Sequence, residues 1–299
     1  MSESVGLIGL GIMGSAMTSH MIAAGLSVVG YDIDAGKLQA FAAAGGDPAH
    51  SPREVAQRAN VVLTVLPSGT ILQEVVAGEN GLVGAGNHDL LLADCGTFDL
   101  ADKERTRATL VAARMQMLDC TISGTGSQAR QKDVVVYASG EPAAFDRCTS
   151  IFAGFARASH YVGAFGNGSK MKYVANLLVA IHNVAAAEAL VLARRAGLDP
   201  ALVYEMIRIG AGTSRMFEVR GPMMVAGRYD QDVTSRIDLW QKDMQVIGRY
   251  ARELDCPVPL FSVCAQLYSA AMANDLAKLD TAAVCMVLES LAGIRRPAQ

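Results

Sequence analysis

The sequence predicts two domains, an α/β domain built on a doubly wound, mostly parallel sheet and an all-helical domain after it. The chain has 299 residues, of which 51% are hydrophobic, and this suits two domains that each bury a core. Short β-branched runs alternate with helical stretches up to about residue 162. Helical patterns alone continue beyond that point, so we expect the domains at 1–162 and 163–299.

The first half carries the signals of alternating strands and helices. We predict strands over residues 5–10, 27–32, 61–66, 90–94 and 134–138 from their short apolar and β-branched runs. Ser51, Pro52 and Glu54 predict a helix start, because serine caps, proline suits the first helical position and glutamate completes a capping box. Such alternation gives a mostly parallel sheet with helices on both faces.

The second half is predicted to be helical almost to its end. A long helix over 169–195 stops before Gly197, and Asp199 with Pro200 caps and starts the next helix. Further helices are predicted over 203–209, 239–254, 260–274 and 281–292. The apolar stretch 174–192 contains polar side chains such as Asn183 and Glu188, so it is typical of a buried helix rather than a membrane span.

Charge and cysteine usage exclude several classes of function. The formal net charge is −3 and the charges are spread along the chain, so we expect no nucleic acid and no membrane as partner. The six cysteines form no Cys-x-x-Cys pair and the five histidines show no ligand spacing, so we expect no metal site. Unpaired cysteines and a short, polar N-terminus indicate a cytoplasmic protein, although a matrix protein without its transit peptide would look the same.

A glycine-rich turn follows the first predicted strand and opens a predicted helix. Its residues fit the pattern Gly-x-Gly-x-x-Gly and are Gly9, Leu10, Gly11, Ile12, Met13 and Gly14. The first glycine permits the tight turn, the second lets the backbone approach a pyrophosphate, and the third lets the helix pack close to the strand. The helix N-terminus attracts the phosphates. The turn therefore predicts a Rossmann-type domain that binds a nicotinamide dinucleotide.

Asp32 stands at the end of the second predicted strand, where it bears on the choice of cofactor. A carboxylate there accepts hydrogen bonds from a ribose 2′-hydroxyl and repels a 2′-phosphate. The next residues, Ile33 and Asp34, offer no arginine for a phosphate. We therefore predict NAD rather than NADP as the cofactor. The alternative for the whole segment is a glycine turn that binds no ligand.

The glycine turn resembles that of the β-hydroxyacid dehydrogenase family, whose members often open with Gly-x-Gly-x-Met-Gly. Three further stretches support the resemblance, namely Asp119-Cys120-Thr121-Ile122-Ser123-Gly124, then Gly163, Gly166, Gly168, Lys172 and Asn176, and finally Lys242-Asp243. They are similar to the family's Asp-Ala-Pro-Val-Ser-Gly-Gly, its Gly-x-x-Gly-x-Gly-x-x-x-Lys-x-x-Asn-Asn, and its Lys-Asp pair. The resemblance implies a 6-phosphogluconate dehydrogenase-like fold and a dehydrogenase that acts on a hydroxy acid.

Lys172 is the candidate catalytic residue. A lysine ammonium can bind a carbonyl oxygen and supply the proton that a forming alkoxide needs, and the neutral amine can take that proton back. Asn176 lies one helical turn further on the same face, where it can orient the lysine or the substrate. Spacing alone leaves an equal alternative for Lys172, namely a solvated surface lysine, and that alternative suits Lys170 better. The resemblance favours a catalytic Lys172.

The resemblance also implies roles for residues on several loops. It assigns the substrate carboxylate to Ser123 and Gly124, the adenosine side of the cofactor to Leu66 and Pro67, the nicotinamide side to Thr97, and a cofactor contact to Lys242. Thr125, beside Gly124, is expected to bind the substrate through its hydroxyl or to narrow the pocket. The alternatives are an ordinary turn at Ser123 and Gly124, a helix cap at Thr97 and a surface lysine at Lys242. Each of these alternatives stays open at the level of sequence.

Three departures from the family's pattern fall around the substrate segment. Thr125 stands where the family has the second glycine of Ser-Gly-Gly, and Cys120-Thr121 replaces Ala-Pro. Ala175 replaces the first of the paired asparagines. These changes leave the type of reaction intact and leave the identity of the hydroxy acid open.

We therefore expect a reversible NAD-dependent dehydrogenase that interconverts a small 3-hydroxy acid and its semialdehyde or keto form. One alternative is an imine reductase-like enzyme and another is a non-catalytic dinucleotide-sensing protein; relatives of both kinds usually lack a lysine at the position of Lys172. The long helix from about residue 169 is nearly apolar all round, so we expect a homo-oligomer, either a homodimer or a homotetramer.

Overall fold

A computed structural model of the chain describes residues 4–231 and 233–295. It divides into two compact units, Met1–Lys172 and Tyr173–Gln299. The division falls inside the long helix Asn167–Arg195, whereas the sequence analysis places its boundary at 162/163, just before that helix. The first unit is α/β and the second is helical, which confirms the predicted fold class.

The first unit is built on an eight-stranded sheet. The strands, in chain order, are β1 (Val5–Ile8), β2 (Val28–Tyr31), β3 (Asp47–Pro48), β4 (Val61–Thr64), β5 (Leu91–Asp94), β6 (Gln116–Ser123), β7 (Val135–Ser139) and β8 (Ala158–Tyr161). Their order across the sheet is β3-β2-β1-β4-β5-β6-β7-β8, and each neighbouring pair is parallel except β6 with β7. The predicted ranges omit β3, β6 and β8. The strands β3 and β8 are edge strands with exposed or polar residues, and β6 contains Asp119 and Thr121, so none of the three has the apolar run of a central strand.

Helices cover both faces of this sheet. They are α1 (Ile12–Ala23), α2 (Ala35–Ala43), α3 (Pro52–Arg58), α4 (Gly69–Ala77), α5 (Leu100–Ala112), α6 (Gly126–Arg130) and α7 (Pro142–Phe155). The predicted cap of α3 is confirmed, because Ser51 Oγ accepts from Glu54 N at 3.2 Å. The reciprocal half of the capping box is replaced, since the Glu54 carboxylate accepts from His50 N at 2.8 Å, one residue before the cap.

Successive residues of the strands supply two separate apolar cores. Leu7 packs in one core with Met21 and Phe152, and its neighbour Ile8 packs in the other core with Leu72. Because side chains alternate along a strand, each buried strand feeds both faces and must be apolar throughout. Each fully buried leucine or phenylalanine contributes about 2 kcal/mol to folding by area.

The second unit consists of helices around one core. The helices are α8 (Asn167–Arg195, which begins in the first unit), α9 (Pro200–Ile207), α10 (Arg215–Ala226), α11 (Ile237–Glu253), α12 (Pro259–Ala273) and α13 (Val284–Leu291). Helix α8 is long and apolar enough to cross a membrane by length and composition, and 44% of its most apolar window is buried inside the protein. Its inner face supplies core residues such as Ala187 and Leu190, which is the role predicted from the sequence.

Helix α10 was not predicted, and its interior explains why. It contains Pro222, which has no N–H to donate to the carbonyl of Glu218 four residues earlier. The Tyr204 hydroxyl donates to that carbonyl at 3.0 Å instead. Gly221 admits the same tyrosine, because a Cβ there would lie 2.6 Å from the Tyr204 ring. A partner from another helix therefore stabilises a segment that local propensity disfavours.

Candidate active site

The glycine turn after β1 has the shape that a dinucleotide requires. Gly9 has φ +100°, and a Cβ there would lie 2.2 Å from Val65 O, so only glycine fits. A Cβ on Gly14 would lie 1.9 Å from Gly9 O, so the absence of a side chain at this position lets α1 pack against β1. Gly11 differs from both, because its φ of −71° suits any residue and, apart from its own chain neighbours, no atom of the described residues lies within 4 Å of its Cβ position. The protein itself does not require glycine at residue 11, and the open space fits the close approach of a pyrophosphate.

Asp32 lies beside this turn and is held in place by the backbone. Its carboxylate is 8% exposed, with Oδ2 accepting from Leu10 N at 2.8 Å and Oδ1 accepting from Asp34 N at 2.9 Å. Lys37 Nζ lies 3.5 Å from both oxygens, a contact that the sequence analysis missed. Lys37 stands in the first turn of α2, where a lone lysine has the pattern of an ordinary surface residue.

The loops that carry the predicted cofactor residues of the first unit meet at one edge of the sheet. The glycine turn follows β1, Asp32 follows β2, Leu66 and Pro67 follow β4, and Thr97 follows β5. These strands are parallel neighbours, so their carboxyl ends lie together. The strand order runs outward from β1 to β3 on one side and from β4 to β8 on the other, so it reverses between β1 and β4. Ligands of open α/β sheets bind at such a switch point.

The predicted substrate segment lies at the end of β6. Ser123 is the last residue of that strand, and Gly124 has φ +144° with Val134 2.7 Å from its Cβ position, so glycine is required there. Thr125 is the N-cap of α6. Its Oγ1 accepts from Gln128 N at 3.4 Å, while Gln128 Oε1 accepts from Thr125 N at 3.0 Å. The departure from the family's second glycine therefore makes a helix cap.

The glycines before Lys172 let the start of α8 pack against two strands. Gly163 and Gly166 have φ +92° and +93°, which side chains rarely adopt. A Cβ on Gly168 would lie 2.6 Å from both Asp119 O in β6 and Tyr137 O in β7. The motif's glycines are thus explained by turns and by close backbone approach.

Hydrogen bonds then fix the first turn of α8. Gly168 N donates to Ser139 Oγ at 2.9 Å, and Ser169 N donates to Asp119 Oδ2 at 2.6 Å. Thr121 Oγ1 donates to Gly168 O at 2.7 Å. Lys172 follows within one turn and is 9% exposed, so its ammonium has little room for the bulk solvation of a surface lysine.

Asn176 and the Lys-Asp pair lie together in the second unit. Asn176 is 4% exposed, and its Nδ2 donates to Asp243 Oδ2 at 2.8 Å. Lys242 Nζ lies 3.2 Å from Asp243 Oδ1. The resemblance implied a cofactor contact for Lys242. The residue of the pair that contacts Asn176 directly is Asp243.

Lys103, which no motif of the sequence indicated, is one of the largest fully buried side chains of the first unit. Its Nζ lies 2.8 Å from Asp94 Oδ2 and 2.7 Å from Asp119 Oδ1. Burial alone lowers the pKa of a lysine, but these two carboxylates raise the pKa of Lys103 above its usual value and keep it charged. In the sequence it stands among charged residues of α5, which is typical of a solvated helix face.

Comparison with known proteins agrees with this geometry along the whole chain. A family model described as the NAD binding domain of 6-phosphogluconate dehydrogenase matches residues 4–163. One described as the NAD-binding of NADP-dependent 3-hydroxyisobutyrate dehydrogenase matches residues 166–288. The chain belongs to the β-hydroxyacid dehydrogenase family. It is accordingly a nicotinamide-dinucleotide oxidoreductase, as the glycine turn predicted.

Individual relatives are similar to this chain over almost their full lengths. L-threonate dehydrogenase of Cupriavidus necator is 32% identical, with 97% of this chain and 98% of that protein covered. 2-Hydroxy-3-oxopropionate reductase of Escherichia coli is 28% identical, with 96% and 98% covered. The crystal structure of 3-hydroxyisobutyrate dehydrogenase from Salmonella typhimurium has a TM-score of 0.86 at 30% identity, with 96% and 100% covered. These similarities favour the dehydrogenase over the imine reductase-like and non-catalytic alternatives.

Proposed function

We propose that this dehydrogenase interconverts a small 3-hydroxy acid and its semialdehyde or keto form, with Lys172 as general acid/base and NAD as preferred cofactor. The observation that carries the proposal is the placement of Lys172. It is nearly buried, and its helix is bonded to Asp119 of β6, the strand that ends at Ser123. The strand β6 thereby supports both Lys172, the proposed proton-transferring group, and the segment proposed to bind the substrate carboxylate.

Lys172 is the proposed acceptor and donor of the proton in the reaction. In the oxidative direction its neutral amine takes the hydroxyl proton of the substrate, and in the reductive direction its ammonium returns a proton to the oxygen. The glycine turn and Asp32 would hold the dinucleotide, which when bound would supply the hydride chemistry at the carbinol carbon. Asn176 lies four residues on in the same helix, so it is on the same face and can orient the substrate oxygen.

The end of β6 is the proposed site for the substrate carboxylate. The Ser123 hydroxyl and the backbone N–H groups around Gly124 can bind a carboxylate without burying another formal charge. This chemistry suits the small hydroxy acids for which the relatives are named. L-threonate, 3-hydroxyisobutyrate and 2-hydroxy-3-oxopropionate all combine a carboxylate with a nearby hydroxyl or carbonyl group.

NAD is the proposed cofactor because of Asp32. Its buried carboxylate, held by Leu10 N and Asp34 N, suits a ribose diol and disfavours a 2′-phosphate. Lys37, at 3.5 Å, partly offsets that negative charge. We therefore expect a preference for NAD rather than an absolute exclusion of NADP.

We also propose that the protein is a cytoplasmic homodimer or homotetramer. The outer side of α8 exposes Met171, Val174, Leu178 and Leu192 at helical spacing, with Val174 58% and Leu192 70% exposed. Large apolar side chains exposed along one helix in this way are often covered by another chain. Sedimentation at micromolar concentration tests this, and the mass of a single chain would contradict it.

A substrate panel tests the function directly. L-threonate, 3-hydroxyisobutyrate and D-glycerate are offered with NAD⁺ and with NADP⁺, and 2-hydroxy-3-oxopropionate is offered with NADH, while absorbance at the NADH band is followed. We expect turnover of at least one hydroxy acid, faster with NAD⁺. Binding of NADH without any turnover in the panel would favour a sensor, and reduction of a cyclic imine alone would favour an imine reductase.

A further inference from the structure

A row of polar side chains crosses the otherwise apolar sheet. Thr64 of β4 is paired in register with Asp94 of β5, Asp94 with Asp119 of β6, and Asp119 with Ser139 of β7. All four residues are fully buried. Hydrogen bonds join the row, since Thr64 Oγ1 donates to Asp94 Oδ1 at 2.8 Å and Ser139 Oγ lies 3.4 Å from Asp119 Oδ2. Buried carboxylates on adjacent strands repel each other unless a cation lies between them.

Lys103 of α5 supplies that cation. Its ammonium donates to Asp119 Oδ1 and to Gly96 O, both at 2.7 Å, and forms an ion pair with Asp94 Oδ2 at 2.8 Å. The ammonium also lies 5.5 Å from the centre of the Phe98 ring. The two hydrogen bonds and the ion pair hold this buried charge between β5, β6 and the loop after β5.

The acceptors of Lys103 belong to two segments that matter for the proposed reaction. Gly96 is in the loop after β5, next to Thr97, the residue proposed to lie beside the nicotinamide. Asp119 binds the start of α8 through Ser169 N at 2.6 Å and Ser169 Oγ at 3.0 Å, within one turn of Lys172. One ammonium therefore joins the nicotinamide-side loop to the helix that carries the proposed acid/base.

We propose that Lys103 is a positioning residue that fixes the spacing between the Thr97 loop and Lys172. The proposal rests on the proposed role of Lys172 in proton transfer. Hydride transfer and proton transfer act on the carbon and oxygen of one carbinol group, so the supports of the two reacting partners must keep a constant spacing. A lysine bonded to both supports does this without touching the substrate.

The test uses a double variant that keeps the charge of the cluster. Lys103→Met alone would leave two buried carboxylates facing each other, so the protein could fail to fold. Adding Asp94→Asn removes one negative charge together with the positive one, and Asp119 remains bonded to Ser169. The amide oxygen introduced by Asp94→Asn can still accept from the Thr64 hydroxyl. The double variant thus removes the link between the two segments, and the Asp119 carboxylate, now without its cation, keeps the bonds from Ser169 N and Oγ.

We expect the double variant to bind NADH within about threefold of the parent, because the glycine turn and Asp32 are untouched. With the best substrate of the panel, kcat should fall at least about tenfold while KM changes less than about threefold, since spacing acts on the reacting step. The deuterium isotope effect on kcat, with deuterium at the carbinol carbon, should rise. Hydrogen exchange should quicken at residues 95–99 and at 166–172.

A matched control changes an ion pair at the C-terminal end of α8, the helix whose first turn Asp119 binds. Arg194 Nη1 lies 2.8 Å from Glu289 Oε1, and Arg194 also donates to a backbone carbonyl, Met224 O, at 2.8 Å. Arg194→Met with Glu289→Gln removes the same charges and the same kind of contact. It should lower the melting temperature yet leave kcat within about twofold and the isotope effect unchanged, because no proposed site residue depends on it.

A second variant covers the case in which the double variant does not fold. Ser169→Ala removes only the 3.0 Å bond from Ser169 Oγ to Asp119, and it should lower kcat about threefold with a raised isotope effect. The proposal is overturned if the folded double variant, or Ser169→Ala in its place, keeps the parent's kcat and isotope effect. Lys172→Ala is measured alongside them. If Lys172→Ala retains activity, the proposed function itself is wrong; if it loses activity and the Lys103 variants do not, only the positioning role is wrong.

Discussion

Two glycine-rich segments of the first unit each lead into a helix, and they use their glycines differently. In the turn after β1, Gly11 has open space around its Cβ position. Before α8, the Cβ position of Gly168 lies 2.6 Å from Asp119 O and from Tyr137 O. The first segment leaves space for a ligand, whereas in the second segment the protein's own strands occupy the corresponding space. Similar sequence patterns thus serve to bind a cofactor in one place and to fix a side chain in the other.

Replacing Lys172 should give the largest effect and tests whether the second segment serves chemistry. Lys172→Ala should lower kcat by about 10²–10⁴-fold, because the proton of the hydroxyl loses its acceptor. NADH affinity, measured by fluorescence titration, should stay within about threefold, since the glycine turn is intact. Lys170→Ala is the matched control, because the Lys170 side chain donates to Asn167 Oδ1 at 3.4 Å and belongs to no proposed site. Equal losses in both variants would contradict the assignment.

Alanine at the two glycines separates the segments most directly. Gly168→Ala should lower the free energy of unfolding by about 1–3 kcal/mol, because the new methyl group meets two backbone carbonyls. Gly11→Ala should lower it by only about 0.5 kcal/mol, the difference between glycine and alanine at an N-cap. Its NADH affinity should nevertheless fall about tenfold, since the methyl group enters the space left for the pyrophosphate. Urea unfolding and NADH titration measure both quantities, and equal stability losses would remove the distinction.

The sequence predicted the first segment better than the second for a physical reason. The turn after β1 is local, so the strand, the glycines and the helix stand next to each other in the chain, and Asp32 follows closely. The support of α8 is not local, because Asp119, Ser139 and Lys103 lie far from Lys172 in sequence and meet only through the register of β5, β6 and β7. Charge patterns alone place Lys103 on the surface. Resemblance located the glycines of the motif, but only the fold explains what they pack against.

Charge changes at the cofactor edge should have intermediate effects and sharpen the view of the first segment as a binding site. Asp32→Asn keeps an acceptor for Leu10 N and removes the negative charge, so the ratio of NADP to NAD affinity should rise about tenfold. Lys37→Met should lower that ratio about threefold, because Lys37 is 44% exposed and its charge is partly screened. Titration of each variant with NADH and NADPH measures the ratios. A shift in the same direction for both variants would contradict the proposed balance.

Thr125 should give the smallest effect, and it tests a third glycine-containing segment. Gly124 packs against Val134, as Gly168 packs against strands, while the hydroxyl of Thr125 caps α6 through Gln128 N. Thr125→Ala should therefore lower the free energy of unfolding by about 1 kcal/mol, the usual value for a lost N-cap. If capping is its only role, kcat/KM for the best hydroxy acid should change by less than about twofold. A larger loss in kcat/KM with little change in stability would instead place the threonine hydroxyl against the substrate, and the departure from the family's glycine would then help to select the hydroxy acid.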